Sequence, residues 1–341
     1  MLGFCTVLGM KKTAMLAGLL MAGAAMGSGV GMAQTGTLLV ANQSDHTLSL
    51  IDAKAGKEIA TIPVGGVTGH EVVAMPDGKT AFVPIYGNSG VGKPGSNGSS
   101  MAVIDLASRK VVATVDFGHE VRPHEPLYEP VSGMLYVTTE LDKSVTVIDP
   151  KTRKIVGSIP TGQEQSHMLA ISKDGKRGYT ANVGPGTVSV LDMVGRKTVT
   201  VIPVSKTIQR IALSVDDKLV FTSDQTAPKL VVIDTATNTV KTTVALPGMG
   251  YGTAVTPDGK WLLVSMPAEK KVAVVDLKAM AVVKTIDVPA GNGEMLVRPD
   301  GTMAYLSCPT ANQVAAIDLK TWSVAKIIDA GKKADGLGWV K

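Results

Sequence analysis

Short apolar segments separated by turns make up most of the chain from about residue 36 onwards. One phrase, apolar-x-apolar-apolar-Asp, recurs seven times, at Leu48–Asp52, Met101–Asp105, Val145–Asp149, Val188–Asp192, Leu230–Asp234, Val272–Asp276 and Val314–Asp318. Its aspartates are separated by 53, 44, 43, 42, 42 and 42 residues. The segments alternate or run apolar over short stretches, as strands do, and lack helical periodicity. A period near 42 residues with about four strands per repeat predicts a propeller blade.

We therefore predict an all-β, seven-bladed β-propeller of four-stranded blades over residues 34–341. Asp-Gly pairs such as Asp77-Gly78 and Asp258-Gly259 mark the hairpin between the first and second strands of a blade, because glycine tolerates the positive φ of a tight turn. The first repeat lacks an opening strand, and the chain ends in an unassigned strand at 335–340. We expect this C-terminal strand to complete the first blade and close the ring. The seven phrase-ending aspartates are expected to cap turns.

The repeat also resembles a known family. Met134–Thr139 followed by Val145–Asp149, and Pro257–Lys260 followed by Trp261–Ser265, are similar to the repeat of the YVTN-type bacterial seven-bladed β-propellers, the YncE-like and lactonase-like group. The resemblance spans nearly all of 36–341 and implies the propeller fold. The group includes DNA-binding, ligand-binding and enzymatic proteins, so the resemblance leaves the function open.

Residues 1–33 have the pattern of a secretory signal peptide. Lys11 and Lys12 precede an apolar run, and small residues lead to Gly31-Met32-Ala33, which predicts cleavage after Ala33. The alternative is a retained membrane anchor, and translation starts at either Met1 or Met10. Cleavage predicts a periplasmic or secreted protein without stable membrane insertion. Cys308 would then be a lone cysteine, which cannot form an internal disulfide.

Composition narrows the choice of partners. The chain is 45% hydrophobic and 18% charged, which suffices for a folded core. Removing two lysines and no acids leaves 32 basic and 29 acidic residues, a charge of +3. Aromatic residues make up only 4%. A single-stranded nucleic acid site needs a basic face with stacking rings, so the composition argues against nucleic acid.

Three histidines occupy equivalent positions in consecutive repeats. His70, His124 and His167 each lie six residues before the hairpin turn of their blade, at the start of the innermost strand and on the rim of the channel. Imidazole is a common transition-metal ligand, so the three are a candidate site for Cu or Zn. Glu71 and Glu125 follow two of them, and alternation along a strand would turn these carboxylates away. A polar ligand site and repeat duplication without function are the alternatives.

Other polar residues fall near the same rim. Arg122, Arg210, Tyr251, Glu294 and Asp335 are predicted to bind a small ligand there. His46 and His119 fall in connections on the same face. The Gly/Ser-rich connection from Gly87 to Ser100 lengthens the second repeat; it is either a tolerated insertion or a lid.

The sequence leaves three functions open. The first is binding of a small molecule or metal ion at the histidine-rich mouth. The second is an enzyme that uses the same mouth, a lactonase-like hydrolase or a metal-dependent oxidoreductase, although no catalytic residue is assigned. The third is a protein-interaction platform that serves a periplasmic redox partner, as the family resemblance implies.

Overall fold

The computed structural model describes residues 36–341, apart from residues 68 and 292. The signal segment predicted at 1–33 lies outside these described residues. Seven sheets of four strands are present in the described part, and each sheet is called a blade and numbered in chain order. The strands are β1 (Thr37–Asn42), β2 (Thr47–Asp52), β3 (Lys57–Pro63), β4 (Val73–Ala74), β5 (Thr80–Ile85), β6 (Ser100–Asp105), β7 (Lys110–Asp116), β8 (Pro123–Glu129), β9 (Met134–Thr139), β10 (Ser144–Asp149), β11 (Lys154–Pro160), β12 (Ser166–Ile171), β13 (Arg177–Asn182), β14 (Thr187–Asp192), β15 (Lys197–Pro203), β16 (Ile208–Leu213), β17 (Leu219–Asp224), β18 (Lys229–Asp234), β19 (Thr239–Ala245), β20 (Thr253–Val255), β21 (Trp261–Met266), β22 (Lys271–Asp276), β23 (Ala281–Asp287), β24 (Met295–Val297), β25 (Met303–Cys308), β26 (Gln313–Asp318), β27 (Ser323–Asp329) and β28 (Ala334–Val340).

The seven blades form a closed ring around a channel. Blade 1 has the strand order β28-β1-β2-β3, and each later blade consists of four consecutive antiparallel strands. The innermost strands, β28, β4, β8, β12, β16, β20 and β24, contact one another in sequence around the channel. The predicted propeller, and the completion of blade 1 by the C-terminal strand, are confirmed.

Apolar side chains between neighbouring blades form the core. In the cluster between blades 1 and 2, Leu39 and Ile62 pack against Val83 and Ile104. Outer strands such as β19 are exposed apart from single buried positions, which explains their mixed pattern. Within the described residues no helix has the length and apolarity needed to cross a membrane.

The phrase-ending aspartates act as turn caps, as predicted. Asp52 Oδ1 accepts hydrogen bonds from the backbone N–H groups of Lys54 and Ala55, at 2.9 and 2.8 Å. The equivalent aspartates of the other six blades make the same kind of bond. These carboxylates therefore stabilise the turns of the scaffold.

Candidate functional site

Register irregularities in the innermost strands bring polar side chains together in the channel. The pairing shifts near the start of β8, β12 and β16, and opposite β28 in blade 1. A bulge adds residues that break the alternation of side chains and can redirect a side chain towards a site. The added residues are His124 and Glu125 in β8, His167 in β12, Arg210 in β16, and Asp335 and Gly336 in β28.

A hydroxyl on the neighbouring strand supports the β8 irregularity. Thr138 Oγ1 accepts a hydrogen bond from the Glu125 backbone N–H at 2.9 Å and donates one to the carbonyl oxygen of His167 at 2.8 Å. One buried hydroxyl therefore links the inner strands of blades 3 and 4. Ser265 makes the same kind of link between Gly252 and Gly293 in blades 6 and 7.

Blade 2 contributes a residue from outside a strand. Its inner strand β4 is only two residues long, and Glu71 lies in the irregular segment before it. Side chains alternate only along a strand, and Glu71 is not in one. The expectation that Glu71 faces away from the histidines is therefore wrong. The Glu71 side chain is 2% exposed and lies in the channel. We call Glu71, His124, Glu125, His167 and Arg210 the channel cluster.

Arg210 supplies the positive charge of the channel cluster. Its Nη1 donates to Glu71 Oε1 at 2.6 Å, and its Nη2 lies 3.8 Å from Asp335 Oδ1. The guanidinium also stands over the Tyr251 ring, 5.4 Å from the centroid. The neighbouring Glu294 carboxyl group also raises the pKa of Glu71. One buried arginine thus faces several carboxylates.

The imidazoles converge as the equivalent spacing indicated. The ring centroids of His124 and His167 are 3.5 Å apart, and those of His70 and His124 are 5.3 Å apart. His124 Nε2 lies 3.9 Å from Glu71 Oε1. His124 and His167 are buried in the cluster, whereas His70 is 15% exposed and lies nearer the mouth.

Burial changes the titration of these groups. It raises the pKa of Glu71 and of Glu125 well above the ordinary range, against the opposing charge of Arg210. Burial also raises the pKa of Glu294, to about 7. Burial, reinforced by neighbouring positive groups, lowers the pKa of His124 and His167 well below the usual value. The two imidazoles are therefore neutral at pH 7, the form that coordinates a metal.

Three ligand-type atoms of the channel cluster are buried without a hydrogen-bond partner. They are Nδ1 of His124, Nδ1 of His167 and Oε2 of Glu125. Buried polar atoms normally have partners. In addition, one potential ligand atom each from Glu71, His124 and Glu125 lies within 4.8 Å of the other two. The residues present fit a cation with mixed nitrogen and oxygen ligands.

A cavity of about 350 Å³ opens onto the cluster from the mouth. At its rim, Gln43 Nε2 lies 3.0 Å from His70 Nδ1, which lies 3.4 Å from Asp335 Oδ2. Hydrogen bonds from His70 hold the pKa of Asp335 below its ordinary value although burial acts to raise it. A larger cavity of about 580 Å³, lined by turns of blades 5 and 6, has no histidine in its lining. The smaller cavity is the one associated with the clustered chemistry.

The predicted ligand-binding residues divide into two groups. Arg210, Tyr251 and Asp335 line the 350 Å³ cavity. Glu294 lies beneath it, where its Oε2 accepts the Leu337 backbone N–H at 2.8 Å. Arg122 lies outside the cavity lining and is paired with Glu140 at 3.3 Å.

The two remaining histidines lie away from the channel cluster. His119 Nε2 is 2.8 Å from Asp142 Oδ1, and the His119 side chain is 61% exposed. The hydrogen bond to Asp142 raises the His119 pKa. His46 lies exposed in the turn between β1 and β2.

Comparison with known proteins identifies the fold. No family model and no curated protein match the chain. Among solved structures, the chain is similar to hydrazine synthase of Kuenenia stuttgartiensis, with 21% identity, a TM-score of 0.70, and coverage of 83% of this chain and 92% of that one. It is also similar to a functionally unknown protein of Desulfotomaculum acetoxidans DSM 771, with 14% identity, a TM-score of 0.72, and coverage of 89% and 98%. Likeness at these identities concerns the fold alone: the chain is a seven-bladed β-propeller.

Proposed function

We propose that the channel cluster binds a divalent transition-metal ion, Zn(II) or Cu(II), through Glu71, His124 and Glu125, with His167 as a further ligand. The observation that carries the proposal is the set of buried ligand-type atoms without partners on His124, His167 and Glu125. Ligand atoms about 2.0–2.2 Å from one ion lie at most about 4.4 Å apart. The observed limit of 4.8 Å therefore requires only a small adjustment of the side chains.

The charge balance supports the same proposal. Burial disfavours ionised Glu71 and Glu125, and Arg210 alone does not overcome that effect. A divalent cation supplies the missing positive charge and makes the ionised carboxylates favourable. Metal binding would therefore release protons from the cluster.

Calorimetric titration of Zn(II) and Cu(II) into metal-free protein tests the proposal. Because His124 is central to the ligand group, His124→Ala should weaken binding at least 100-fold, and His167→Ala about tenfold. His70→Ala should change affinity less than threefold, and the exposed His119→Ala is the matched control. Titrations in buffers of different ionisation enthalpy should show proton release. Binding no tighter than millimolar, or a His124→Ala variant equal to the His119→Ala control, would contradict the proposal.

The cavity above the cluster favours a second candidate, binding of a small polar molecule by Gln43, His70, Gln209, Tyr251 and Asp335. A hydrolase or oxidoreductase would use this space for its substrate and the ion to polarise it. A ligand held by the rim alone would bind the His124→Ala variant as tightly as the unaltered protein. A ligand held by the ion would lose affinity together with the metal.

The proposal also includes the cellular location and the family of the protein. The pattern of residues 1–33 supports export to the periplasm or beyond, where the ion and any partner protein would be met. The repeat phrases support membership of the YVTN-type group. Exchange of the ion, or of electrons if the ion is Cu(II), with a periplasmic redox partner would take place at the mouth on one face of the ring.

A further inference from the structure

The connection between β5 and β6 is folded over the channel mouth along residues 87–99. Gly90 and Val91 line the 350 Å³ cavity together with the three imidazoles. The base of the connection is closed by hydrogen bonds, since the Ser96 N–H donates to Asn88 Oδ1 at 2.7 Å and the Asn88 N–H donates to Ser96 Oγ at 3.2 Å. Ser89 is buried. The segment is therefore a compact loop with a defined position.

Arg122 and Glu140 fix the tip of this loop. Arg122 Nη2 donates to the carbonyl oxygen of Lys93 at 2.8 Å, and its Nε donates to Asn97 Oδ1 at 2.6 Å. Glu140 Oε1 accepts from Arg122 Nη1 at 3.3 Å and from the Gly92 N–H at 3.2 Å. Arg122 adopts a left-handed φ of 50°, a conformation that non-glycine residues rarely adopt. Both charged side chains are buried and directed at the loop.

The same ion pair reaches the imidazoles through Tyr86. The Tyr86 hydroxyl donates to Glu140 Oε2, and its fully buried ring lies with its centroid 4.7 Å from that of His70 and 5.4 Å from that of His124. Burying an ion pair contributes little net stability to a fold. This pair instead links the loop above the mouth to the ring that supports the histidines.

We propose that residues 87–99 form a lid over the channel cluster and that Arg122 and Glu140 are positioning residues that hold the lid closed. The presence of a metal site beneath the lid rests on the proposed function, but the lid itself can be tested on metal-free protein. A lid of this kind slows entry and exit together. Because the loop covers part of the opening, small species would reach the channel cluster faster when the lid is open.

Carbethoxylation by diethyl pyrocarbonate, followed by mass spectrometry at each histidine, measures access to the channel. The reagent attacks neutral imidazole, so its rate of reaction with the channel histidines is limited by access. The exposed His46 and His119 serve as internal standards. One variant lacks residues 90–95 and joins Ser89 to Ser96, whose hydroxyl and carbonyl oxygen already lie 3.3 Å apart. We expect at least a tenfold faster reaction at His124 and His167 in this variant, with His46 and His119 unchanged.

Arg122→Gln tests the positioning role, with Arg109→Gln as the matched control. Arg109 has a similar φ of 57° but is exposed and donates to the Ile59 carbonyl oxygen on the outer strand of blade 1. Arg122→Gln should accelerate reaction at His124 and His167 at least threefold and increase hydrogen exchange in peptides covering 87–99. Arg109→Gln should change neither.

Two results would overturn the inference. Channel histidines that react within twofold of the native rate in the folded deletion variant would rule out the lid. If these histidines react faster in the deletion variant but at the native rate in Arg122→Gln, the positioning role is ruled out. Should Arg122→Gln not fold, the deletion variant still decides whether the loop is a lid, because it retains Arg122 and Glu140. Failure to bind Zn(II) in a separate titration would contradict the proposed function and leave the access result standing.

Discussion

Glu294 shows, at the scale of a residue, how the channel controls ionisation. It lies next to Glu71 and Arg210, and it accepts a hydrogen bond from the backbone of β28. Burial raises its pKa to about 7, above the 4.5 of an unfolded chain. The folded protein therefore binds more protons than the unfolded chain between these two values. The resulting stability is fully present below pH 4.5 and is lost as the pH rises through 7.

Replacing Glu294 by Gln should flatten this pH dependence. Gln stays neutral and still offers an oxygen to the Leu337 N–H, so Glu294→Gln should resemble the parent at pH 5. At pH 8 the variant should be more stable by about 2 kcal/mol, a value reduced for the partial exposure of the side chain. Denaturant unfolding of metal-free protein at the two pH values measures this. The exposed Glu164→Gln is the control, and parallel shifts in both variants would contradict the prediction.

The residue scale also shows what the sequence could reveal. Equal spacing from a turn predicted that His70, His124 and His167 approach one another, because repeats place equivalent residues at equivalent sites. Strict alternation along a strand predicts that Glu71 and Glu125 face away from the histidines, whereas the structure groups both carboxylates with His124. Pro123 and Pro126 flank His124-Glu125, and proline inside a strand pattern signals a bulge or an edge. The two prolines therefore indicate an irregularity at Glu125.

At the scale of the element, the irregularities of the inner strands create the site. Regular strands would direct neighbouring residues to opposite sides, so His124 and Glu125 would not both reach the channel. The register shift places both at one position, opposite Thr138. The hairpins and caps around them follow from local turn chemistry, and these were predictable. A shift of register depends on contacts between blades, which a local pattern does not contain.

Thr138→Val should reveal the role of the supporting hydroxyl. Valine keeps the shape but leaves the Glu125 N–H and the His167 carbonyl oxygen without their buried partner. We expect a loss of about 1–3 kcal/mol of unfolding free energy and about a tenfold loss of metal affinity. Denaturant unfolding and calorimetric titration measure the two effects. Thr243→Val on exposed β19 should change neither, and an unchanged affinity in Thr138→Val would show that the hydroxyl supports only the fold.

At the scale of the whole molecule, one strand closes the ring and also contributes to the site. β28 pairs with β1 from Thr37↔Val340 to Asn42↔Ala334. Trp339 stacks on Tyr305 of blade 7 with ring centroids 5.9 Å apart. The same strand carries Asp335 into the channel. The closure was predictable because the repeat count left one blade incomplete and one strand unassigned.

Deleting residues 334–341 should destabilise the whole ring. The deletion exposes the edge of β1 and removes the contact with blade 7, and each kcal/mol lost lowers the melting temperature by about 2 °C in a domain of this size. We expect a fall of about 10 °C or more, measured by circular dichroism. A truncated protein that melts within a degree or two of the intact chain would contradict ring closure by β28.

A circular permutant distinguishes the effect of pairing β28 with β1 from the effect of the chain connection between β27 and β28. Val340 lies opposite Thr37, so residues 330–341 placed before Gly36 form a hairpin with β1 through the two-residue turn Lys341-Gly36. This permutant keeps all four strands of blade 1 and Asp335, and it loses only the chain connection between β27 and β28. It should therefore melt within about 5 °C of the native protein and retain the metal affinity. Equal destabilisation of the permutant and the truncated protein would mean that the chain connection, rather than the pairing of β28 with β1, holds the ring closed.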